Sequence, residues 1–537
     1  MRGTIMNYPL TLSTILEHAG RLHGDQEIVS RRPDKSVYRY KFADFYKRSK
    51  QLSEALVKIG LNPGERVATL CWNHAEHLEM YFGVPCAGGV LHTLNLRLHS
   101  DELAYIANHA EDRFLIVDDD LLPILESFKE KVSFERIFVV RHGKKSLPEG
   151  MEDYEDLLAE ADGTFEYPNI DENAACGMCY TSGTTGRPKG VAYSHRAVVL
   201  HTLSAAVPDV FGLSMRDCIM PIVPMFHANA WGMPTTAVMT GSKIVFTGPH
   251  MDYESVLELL EIENVTLTGG VPTVWLPVVE ALMKQPERWK LKQGLKFVIG
   301  GSAAPEAMIR DFDSMGYQVI HAWGMTEMTP IGTTGVPKPA FDLMTKDEQF
   351  STLAKQGIPL PLVEIRIMGD DDLAPWDGHT MGELQVRGPW IADSYYNPDD
   401  PVFSWTDDGW FRTGDVVTVD KEGYVKITDR TKDLIKSGGE WISSVDVENA
   451  LMGHPKIKEA AVIAMPHEKW VERPLACIVL KESEKLSPDE VREYLSQQFA
   501  KWWLPDAVEF IEEVPRTSTG KFQKLALRER FSEYRSN

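Results

Sequence analysis

The eleven residues Tyr180–Gly190 read YTSGTTGRPKG and combine hydroxyl groups, glycines and a lysine. Four serine and threonine side chains of this loop offer hydroxyl groups that can donate to an anion: Thr181, Ser182, Thr184 and Thr185. Gly183 and Gly186 let the backbone turn so that its N–H groups also face the anion, and Lys189 adds a positive charge. The spacing is not that of a P-loop, because Pro188 stands five residues after Gly183 and no Gly-Lys pair falls in register. The stretch predicts a phosphate site in a different nucleotide fold, with a flexible polar surface loop as the alternative.

Glycine-ended apolar runs recur on both sides of this loop. Between about residues 40 and 170, helical patterns such as FADFYKRSKQLSEALVKIG alternate with short β-rich runs, RVATLCW and RFLIVDD. The middle of the chain continues with IVFTG, VTLTGGVP and KFVIGGSAAP. Open α/β sheets place their ligands at the carboxyl ends of strands. The pattern therefore predicts an α/β fold whose site lies at these glycines.

The pattern changes after about residue 360, where VEIRIM, GELQVRGPW and GYVKITD alternate polar and apolar residues. These runs predict an antiparallel, β-barrel-like subdomain. The stretch DRTKD then marks a break, and roughly a hundred residues remain, enough for a small α+β domain. We predict a large N-terminal domain over residues 1–431 and a small C-terminal domain over residues 432–537.

Composition excludes several classes of function. The formal net charge of −22, from 56 Lys and Arg against 78 Asp and Glu, disfavours nonspecific binding to nucleic acid or anionic lipid. Six cysteines are few for 537 residues, and the C-x-x-C of Cys176 and Cys179 has no second pair for zinc. The first twenty residues lack a long apolar run, which predicts a soluble, cytoplasmic protein.

Five motifs in fixed order resemble the adenylate-forming (AMP-binding) superfamily, which includes acyl-CoA synthetases, adenylation domains of peptide synthetases and luciferases. They are YTSGTTGRPKG, HAWGMTEM, WFRTGD, DRTKD and PRTSTGKFQK. Three longer stretches narrow the resemblance to bacterial medium- and long-chain fatty-acyl-CoA synthetases and 3-methylmercaptopropionyl-CoA ligases: HTLNLRLHSDELAYIANHAED, VPMFHANAW and KSGGEWISSVDVENALMGHP. The resemblance implies activation of an acid by ATP through an acyl-adenylate, transfer of the acyl group to CoA, and a small C-terminal domain that is mobile. It also implies a homodimer, since close relatives dimerise.

The resemblance assigns a nucleotide site. Glu327 with Thr181 would hold Mg²⁺, whose preference for oxygen ligands fits a carboxylate and a hydroxyl. Trp323, where most relatives have tyrosine, would lie against adenine. Asp415 would accept the ribose hydroxyls, and Arg430 would reach the ribose or a phosphate. The other residues implied for ATP or AMP are Ser182, Gly183, Thr184, Thr185, Gly186, Lys189, Gly301, Ser302, Ala303, His321, Ala322, Gly324, Thr326, Lys432, Lys436 and Trp441. Taken singly, a surface glutamate, a core tryptophan and a turn aspartate are the alternatives.

The two half-reactions would use different C-terminal motifs. Lys521 matches the lysine that bridges the attacking carboxylate and the α-phosphate, and Lys432 matches the hinge of the small domain. A second glycine turn at KSGGEW would let the CoA thiol pass close to the backbone. The residues implied for CoA are Lys436, Gly438, Gly439 and Glu440.

The acid would lie beside His227 and Trp231, which are four apart and would share one face of a helical turn. They resemble the acyl gate of relatives, with His227 next to the reacting carboxyl group; a hydrogen-bonded core histidine is the alternative. The small residues from Gly300 and Gly301 to Ala304 would form the opposite wall. These segments carry no Arg or Lys, which predicts an apolar acid. A carrier-protein-loading adenylation enzyme and a non-catalytic nucleotide sensor remain alternative functions.

Overall fold

The computed structural model describes residues 1–537 except 2, 144–145, 182–186, 370–371, 399–403, 438–439, 468, 517–521, 533, 535–537 and the side chain of Glu440. Among the predicted site residues, Ser182, Gly183, Thr184, Thr185, Gly186, Gly438, Gly439 and Lys521 lie outside the described residues. No helix in the described ranges is both long enough and apolar enough to cross a membrane.

The strands of the first 359 residues are β1 (Glu27–Arg31), β2 (Val37–Lys41), β3 (Arg66–Leu70), β4 (Val90–Thr93), β5 (Asp112–Asp118), β6 (Arg136–Val140), β7 (Glu152–Asp153), β8 (Ala175–Tyr180), β9 (Gly190–Ser194), β10 (Cys218–Pro221), β11 (Lys243–Phe246), β12 (Leu267–Gly270), β13 (Lys296–Ile299), β14 (Gln318–Gly324), β15 (Ile331–Thr334) and β16 (Ile358–Pro359). The later strands are β17 (Glu364–Met368), β18 (Gly382–Arg387), β19 (Phe411–Val419), β20 (Val425–Arg430), β21 (Ile435–Ser437), β22 (Glu440–Ile442), β23 (Ile457–His467), β24 (Val471–Leu480) and β25 (Ala507–Phe510).

The α-helices are α1 (Leu12–Leu22), α2 (Phe42–Lys58), α3 (Ala75–Cys86), α4 (Ser100–His109), α5 (Leu122–Glu126), α6 (Tyr154–Ala159), α7 (His195–Ala206), α8 (Met233–Thr240), α9 (Tyr253–Ile262), α10 (Pro272–Lys284), α11 (Glu306–Ser314), α12 (Lys346–Leu353), α13 (Ser444–Met452), α14 (Pro488–Ser496) and α15 (Lys524–Arg530). Helix α2 has the spacing expected of an amphipathic helix. Its buried face repeats every three or four residues, at Phe42, Phe45, Ser49, Leu52 and Leu56.

Two large, mostly parallel sheets form the N-terminal part. One has the order β7-β6-β5-β3-β4-β8-β9, in which only the β8–β9 pair is antiparallel. The other has the order β16-β15-β14-β13-β12-β10-β11-β1-β2, with a parallel centre from β14 to β1. One continuous core joins the two sheets and includes residues of α1, α2, α3 and α8. The predicted α/β fold is confirmed.

An antiparallel sheet and a mixed sheet follow. Strands β17 to β20 pair in sequence order, as the alternating pattern predicts. Their described residues form an open sheet rather than a barrel, since the pairing runs β17-β18-β19-β20 without closing on β17. Strands β21 to β25 form the sheet of the small α+β part, whose core packs α13 and α14 against β23 and β24. A domain boundary at Lys432 stays a prediction.

A buried ion cluster lies at the carboxyl edge of the seven-stranded sheet. The His74 Nε2 is 2.9 Å from Asp118, and its Nδ1 is 3.1 Å from Glu76. Burial lowers the pKa of His74, but the two carboxylates outweigh burial and raise this pKa to about 9. The Cys71 thiol lies nearby, and burial raises its pKa well above the usual value. Because both imidazole nitrogens already face carboxylates, the geometry fits an imidazolium ion pair rather than a metal site.

This cluster predicts a specific pH dependence of stability. Because the His74 pKa is raised on folding, its contribution is fully present below about pH 6.5 and is lost as the pH rises through about 9. We expect His74→Gln to lower the free energy of unfolding by about 3 kcal/mol at pH 6.5 and by less at pH 9.5. Urea unfolding of both proteins between these pH values measures the difference. A difference in unfolding free energy between the two proteins that stays constant across this pH range would contradict the raised pKa of His74.

Candidate active site

A cavity of about 1770 Å³ lies where strand ends of the two large sheets meet. Thr181 follows β8, His227 follows β10, Gly300 follows β13 and Gly324 ends β14, and all four line the cavity. Strands β19 and β20 of the antiparallel sheet close another side. Parallel strands present their carboxyl ends at one edge, which explains why sequence-distant glycine turns converge here.

Asp415, Arg430 and Trp323 form one connected group in the cavity wall. Asp415 on β19 and Arg430 on β20 face each other across the sheet, and the Arg430 Nε is 3.2 Å from Asp415 Oδ1. The Trp323 Nε1–H donates to Asp415 Oδ2 at 2.8 Å. The fifteen-residue spacing of Asp415 and Arg430 is therefore that of neighbouring antiparallel strands. Trp323 is mostly buried but keeps a place in the cavity lining.

Tyr395 and Lys189 connect Glu327 to Thr181 through a series of contacts. The Tyr395 hydroxyl donates to Glu327 Oε1 at 2.6 Å, and the Lys189 Nζ lies 5.0 Å above the Tyr395 ring. The Lys189 N–H in turn donates to the Thr181 hydroxyl at 3.1 Å. Both Glu327 and Thr181 line the cavity, so a carboxylate and a hydroxyl oxygen suited to a hard cation face the same space.

His321 shapes the wall that follows β13. Its Nε2 accepts the Ala304 N–H at 3.3 Å, and its Nδ1 lies 3.0 Å from the Ala354 carbonyl oxygen. Burial lowers the pKa of His321 to about 4, so the ring is neutral and donates through Nδ1. Seven further nucleotide-site candidates also line the cavity: Gly301, Ser302, Ala303, Ala322, Gly324, Thr326 and Lys432.

The acid-site candidates His227 and Trp231 line the same cavity, but the residues between them do not form the predicted right-handed helical turn. Ala228, Asn229, Ala230 and Trp231 have φ of 44°, 51°, 47° and 58°, and Gly232 continues with 71°. His227 itself is extended. A left-handed turn therefore brings the two side chains to one side, and that part of the helical prediction is wrong.

The Trp231 ring packs against strand-end glycines. A methyl group at Gly300 would lie 3.2 Å from the Trp231 ring and 2.7 Å from the Ala322 carbonyl oxygen. A methyl group at Gly269 would lie 3.7 Å from the same ring. Only glycine leaves the room that the indole needs at Gly300. The neighbouring lining is apolar, with Val271 and Leu276, in agreement with the predicted apolar acyl tail.

The C-terminal part meets the cavity on one face. Arg516 and Phe522, which flank residues 517–521, line the cavity. Lys436 and Trp441 are not among the lining residues; the Lys436 Nζ lies 4.5 Å above the Trp441 ring instead. The backbone of Glu440 belongs to β22. This orientation thus presents Arg516 and Phe522, but not Lys436 and Trp441, to the cavity.

Contacts across Lys432 hold this orientation. The Ser444 N–H at the start of α13 donates to Asp429 Oδ2 at 2.8 Å. The Lys426 Nζ on β20 pairs with Asp446 on α13 at 2.9 Å. Among the described lining residues, eight Lys and Arg stand against seven Asp and Glu. The cavity is therefore much less acidic than the chain as a whole, which suits an anionic ligand.

Family models match most of the chain: "AMP-binding enzyme" over residues 16–396 and "AMP-binding enzyme C-terminal domain" over residues 446–521. The chain belongs to the AMP-binding enzyme family. It is 49% identical over 99% of its length to a long-chain-fatty-acid–CoA ligase of Thermus thermophilus, covering 97% of that protein. It is 44% identical to a medium-chain-fatty-acid–CoA ligase of Ectopseudomonas oleovorans, over 99% of this chain and 98% of that protein.

A further relative is a 3-methylmercaptopropionyl-CoA ligase of Ruegeria pomeroyi, 44% identical over 99% of both chains. A crystal structure of an anthranilate CoA ligase in complex with anthranoyl-AMP superposes with a TM-score of 0.87, at 25% identity and with 98% of each chain covered. The family and the subgroups inferred from the motifs are confirmed. ATP and CoA fit this family as substrates.

Sequence reasoning missed Tyr395. It lies in ADSYYNPDD, a loop with no family motif in our prediction, 68 residues from Glu327 in sequence. Burial, followed by the negative charge of Glu327, raises the pKa of Tyr395, so its hydroxyl stays a donor. Two adjacent tyrosines in a polar loop were the available signal, because aromatic residues in such loops often contact a ligand or a site residue.

Substitutions of Trp323 test whether its ring contacts the adenine base. We expect Trp323→Leu to raise the KM for ATP by about tenfold, since an aromatic face on a base contributes about 1–3 kcal/mol. Trp323→Tyr keeps an aromatic face and should stay near the wild-type KM. The rate of AMP formation at varied ATP measures both. Equal KM values for the two variants would show that the ring does not contact the base.

Proposed function

We propose that the protein is an AMP-forming acyl-CoA ligase for an apolar carboxylic acid. The observation that carries this proposal is the single cavity that joins the Asp415–Trp323 group and Glu327 to the apolar wall at Trp231. The named activities of the fatty-acid and 3-methylmercaptopropionate ligases support the same reaction class. The acid is therefore a medium- or long-chain fatty acid or 3-methylmercaptopropionate.

In the first step, a carboxylate oxygen of the acid attacks the α-phosphorus of ATP, the bond to the β-phosphate oxygen breaks, and pyrophosphate leaves. Lys189 and the Thr181–Gly186 loop would bind the phosphates, and Lys521 would offset the repulsion between the two anions. Asp415 and Arg430 would hold the ribose, with adenine against Trp323. His227 would lie beside the carboxyl group of the acid.

Mg²⁺ would be held by Glu327 and Thr181, whose oxygen atoms suit that ion. When bound, it supplies positive charge to the phosphate oxygens of ATP. Tyr395 would keep Glu327 oriented through the hydrogen bond of 2.6 Å. A cytoplasmic location and a homodimer are further predictions, which rest on the sequence and the resemblance.

In the second step, the CoA sulfur attacks the acyl carbonyl carbon, AMP leaves, and the thiol proton passes to solvent. We assign the present orientation to the first step, because Arg516 and Phe522 line the cavity while Lys436 and Trp441 do not. A rotation about Lys432 would bring Lys436, Gly438, Gly439 and Glu440 to the adenylate. Loss of the contacts of Asp429 with Ser444 and of Lys426 with Asp446 would accompany that rotation.

An acid panel tests the reaction and its substrate. Propionate, 3-methylmercaptopropionate, octanoate and palmitate are assayed for AMP and acyl-CoA, with and without CoA. We expect acyl-CoA formation with at least one acid and strong dependence of AMP release on CoA, because AMP leaves only when the thiol attacks. AMP release that ignores CoA would contradict the ligase. Pyrophosphate release with an acid but no acyl-CoA formation would favour a carrier-loading adenylation enzyme. Activity with none of the acids would favour a nucleotide sensor.

Paired variants test the division between the two steps. Lys521→Ala should abolish pyrophosphate release while leaving CoA attack on supplied acyl-adenylate intact, because only the first step brings two anions together. Gly439→Leu should do the opposite, because its side chain would fill the path of the thiol. Pyrophosphate release and acyl-CoA formation are measured separately. Equal loss of both steps in either variant would contradict its assigned role.

A further inference from the structure

The backbone that leads to His227 is held from outside the cavity by one buried asparagine. Asn73 follows β3 and is 4% exposed. Its Nδ2 donates to the carbonyl oxygens of Pro221 at 3.0 Å and Val223 at 2.9 Å. Its Oδ1 accepts the Met225 N–H at 2.7 Å. A single amide group thus fixes three alternate residues of this extended segment, and the segment belongs to the other large sheet.

A buried tyrosine holds the next part of the same backbone. Tyr81 on α3 is 5% exposed, and its hydroxyl contacts two acceptors, the Met225 carbonyl oxygen and Asn229 Oδ1, the latter at 3.2 Å. The Cys179 thiol approaches the same Asn229 oxygen at 3.4 Å. Neither Asn73 nor Tyr81 is among the cavity-lining residues. Their contacts to the site therefore run through the segment 221–229.

The segment needs such support because of its conformation. The four residues Ala228–Trp231 all have positive φ, and none of them is glycine. L-residues rarely adopt this region in succession, since Cβ then crowds the following carbonyl oxygen. Such a conformation persists only where surrounding contacts impose it. The Tyr81–Asn229 contact falls inside this run, two residues before Trp231.

The position of Asn73 is itself fixed on both sides. The Trp72 N–H donates to Asp118 Oδ2 at 2.8 Å, and the His74 Nε2 lies 2.9 Å from Asp118 Oδ1. Asp118 ends β5, a strand of the seven-stranded sheet. A continuous series of contacts therefore runs from the buried ion cluster through Asn73 to the backbone that carries His227.

We propose that Asn73 and Tyr81 are positioning residues for the acid, an inference that rests on the proposed ligase function. They fix segment 221–229, and thereby place His227 beside the carboxyl group and Trp231 at the end of the acyl tail. Because they bond to this segment and not to the Asp415–Trp323 group, they act on acid binding and acid selectivity. ATP binding is independent of them.

Substitutions that change only one or a few atoms distinguish a role in positioning the acid from a role in protein stability. Tyr81→Phe removes one oxygen atom, and Asn73→Asp keeps the acceptor for Met225 while replacing both donors by an oxygen. Tyr154→Phe is the matched control: Tyr154 is also buried, and its hydroxyl donates at 2.9 Å to Glu79 on the same helix as Tyr81. All four proteins are compared by steady-state pyrophosphate release at saturating CoA, at varied octanoate, palmitate and ATP.

We expect Tyr81→Phe and Asn73→Asp to raise the KM for the acid by about fivefold or more, the equivalent of one lost hydrogen bond. The KM for ATP should stay at the wild-type value, and the ratio of kcat/KM between the two acids should change. Tyr154→Phe should lower the melting temperature without altering either acid parameter.

Wild-type acid KM and selectivity in a folded Tyr81→Phe protein would overturn the proposal, as would a parallel rise in the KM values for acid and ATP. If Asn73→Asp does not fold, Tyr81→Phe decides the test, because it removes only a hydroxyl. A wild-type protein that releases no pyrophosphate with any acid of the panel would instead refute the ligase function, and the positioning roles with it.

Discussion

The direction of parallel strands is the constraint on which the site depends. Every parallel strand of a sheet delivers its carboxyl end to the same edge, where the backbone must turn without a partner strand. In this protein the edges of two such sheets face one cavity, so that Thr181, His227, Gly300 and Gly324 meet although up to 143 residues separate them. The third, antiparallel sheet adds Asp415 and Arg430 through a simple cross-strand pairing. Sheet geometry brings these strand ends together, and the contacts of Asn73 and Tyr81 fix the segment that carries His227.

Sequence patterns predicted the parts of the fold that depend on local periodicity. The runs KFVIGG and VTLTGG became β13 and β12, and FADFYKRSKQLSEALVK became α2, because burial on one face dictates those spacings. The described motif residues Thr181, Trp323, Glu327, Asp415 and Arg430 line one cavity, and their roles stay predictions. Their convergence in one cavity was implied by resemblance, and the pairing of Asp415 with Arg430 explains why their spacing is diagnostic.

Other features had no local signal in the sequence. The left-handed turn at Ala228–Trp231 contains ordinary residues, and helical spacing was a reasonable but wrong expectation for His227 and Trp231. Tyr395 reaches Glu327 only through tertiary structure. In the sequence, nothing distinguishes Asn73 from other polar residues that follow a strand. In the structure it donates hydrogen bonds to a segment about 150 residues later. These residues act through partners distant in sequence, and periodicity carries no information about such partners.

The contrast between the acidic exterior and the balanced cavity also bears on how ATP arrives. A chain with a net charge of −22 repels an anionic nucleotide while the nucleotide is still far from the protein. At such distances the arginines and lysines of the cavity contribute little attraction. Added salt screens such a field over a Debye length of about 8–10 Å near physiological ionic strength, while the contacts of a bound nucleotide are screened less. Capture of ATP should therefore become faster, not slower, as ionic strength rises from very low values. Acid and nucleotide would differ in this respect, since a fatty acid carries one charge and enters mainly by its apolar tail.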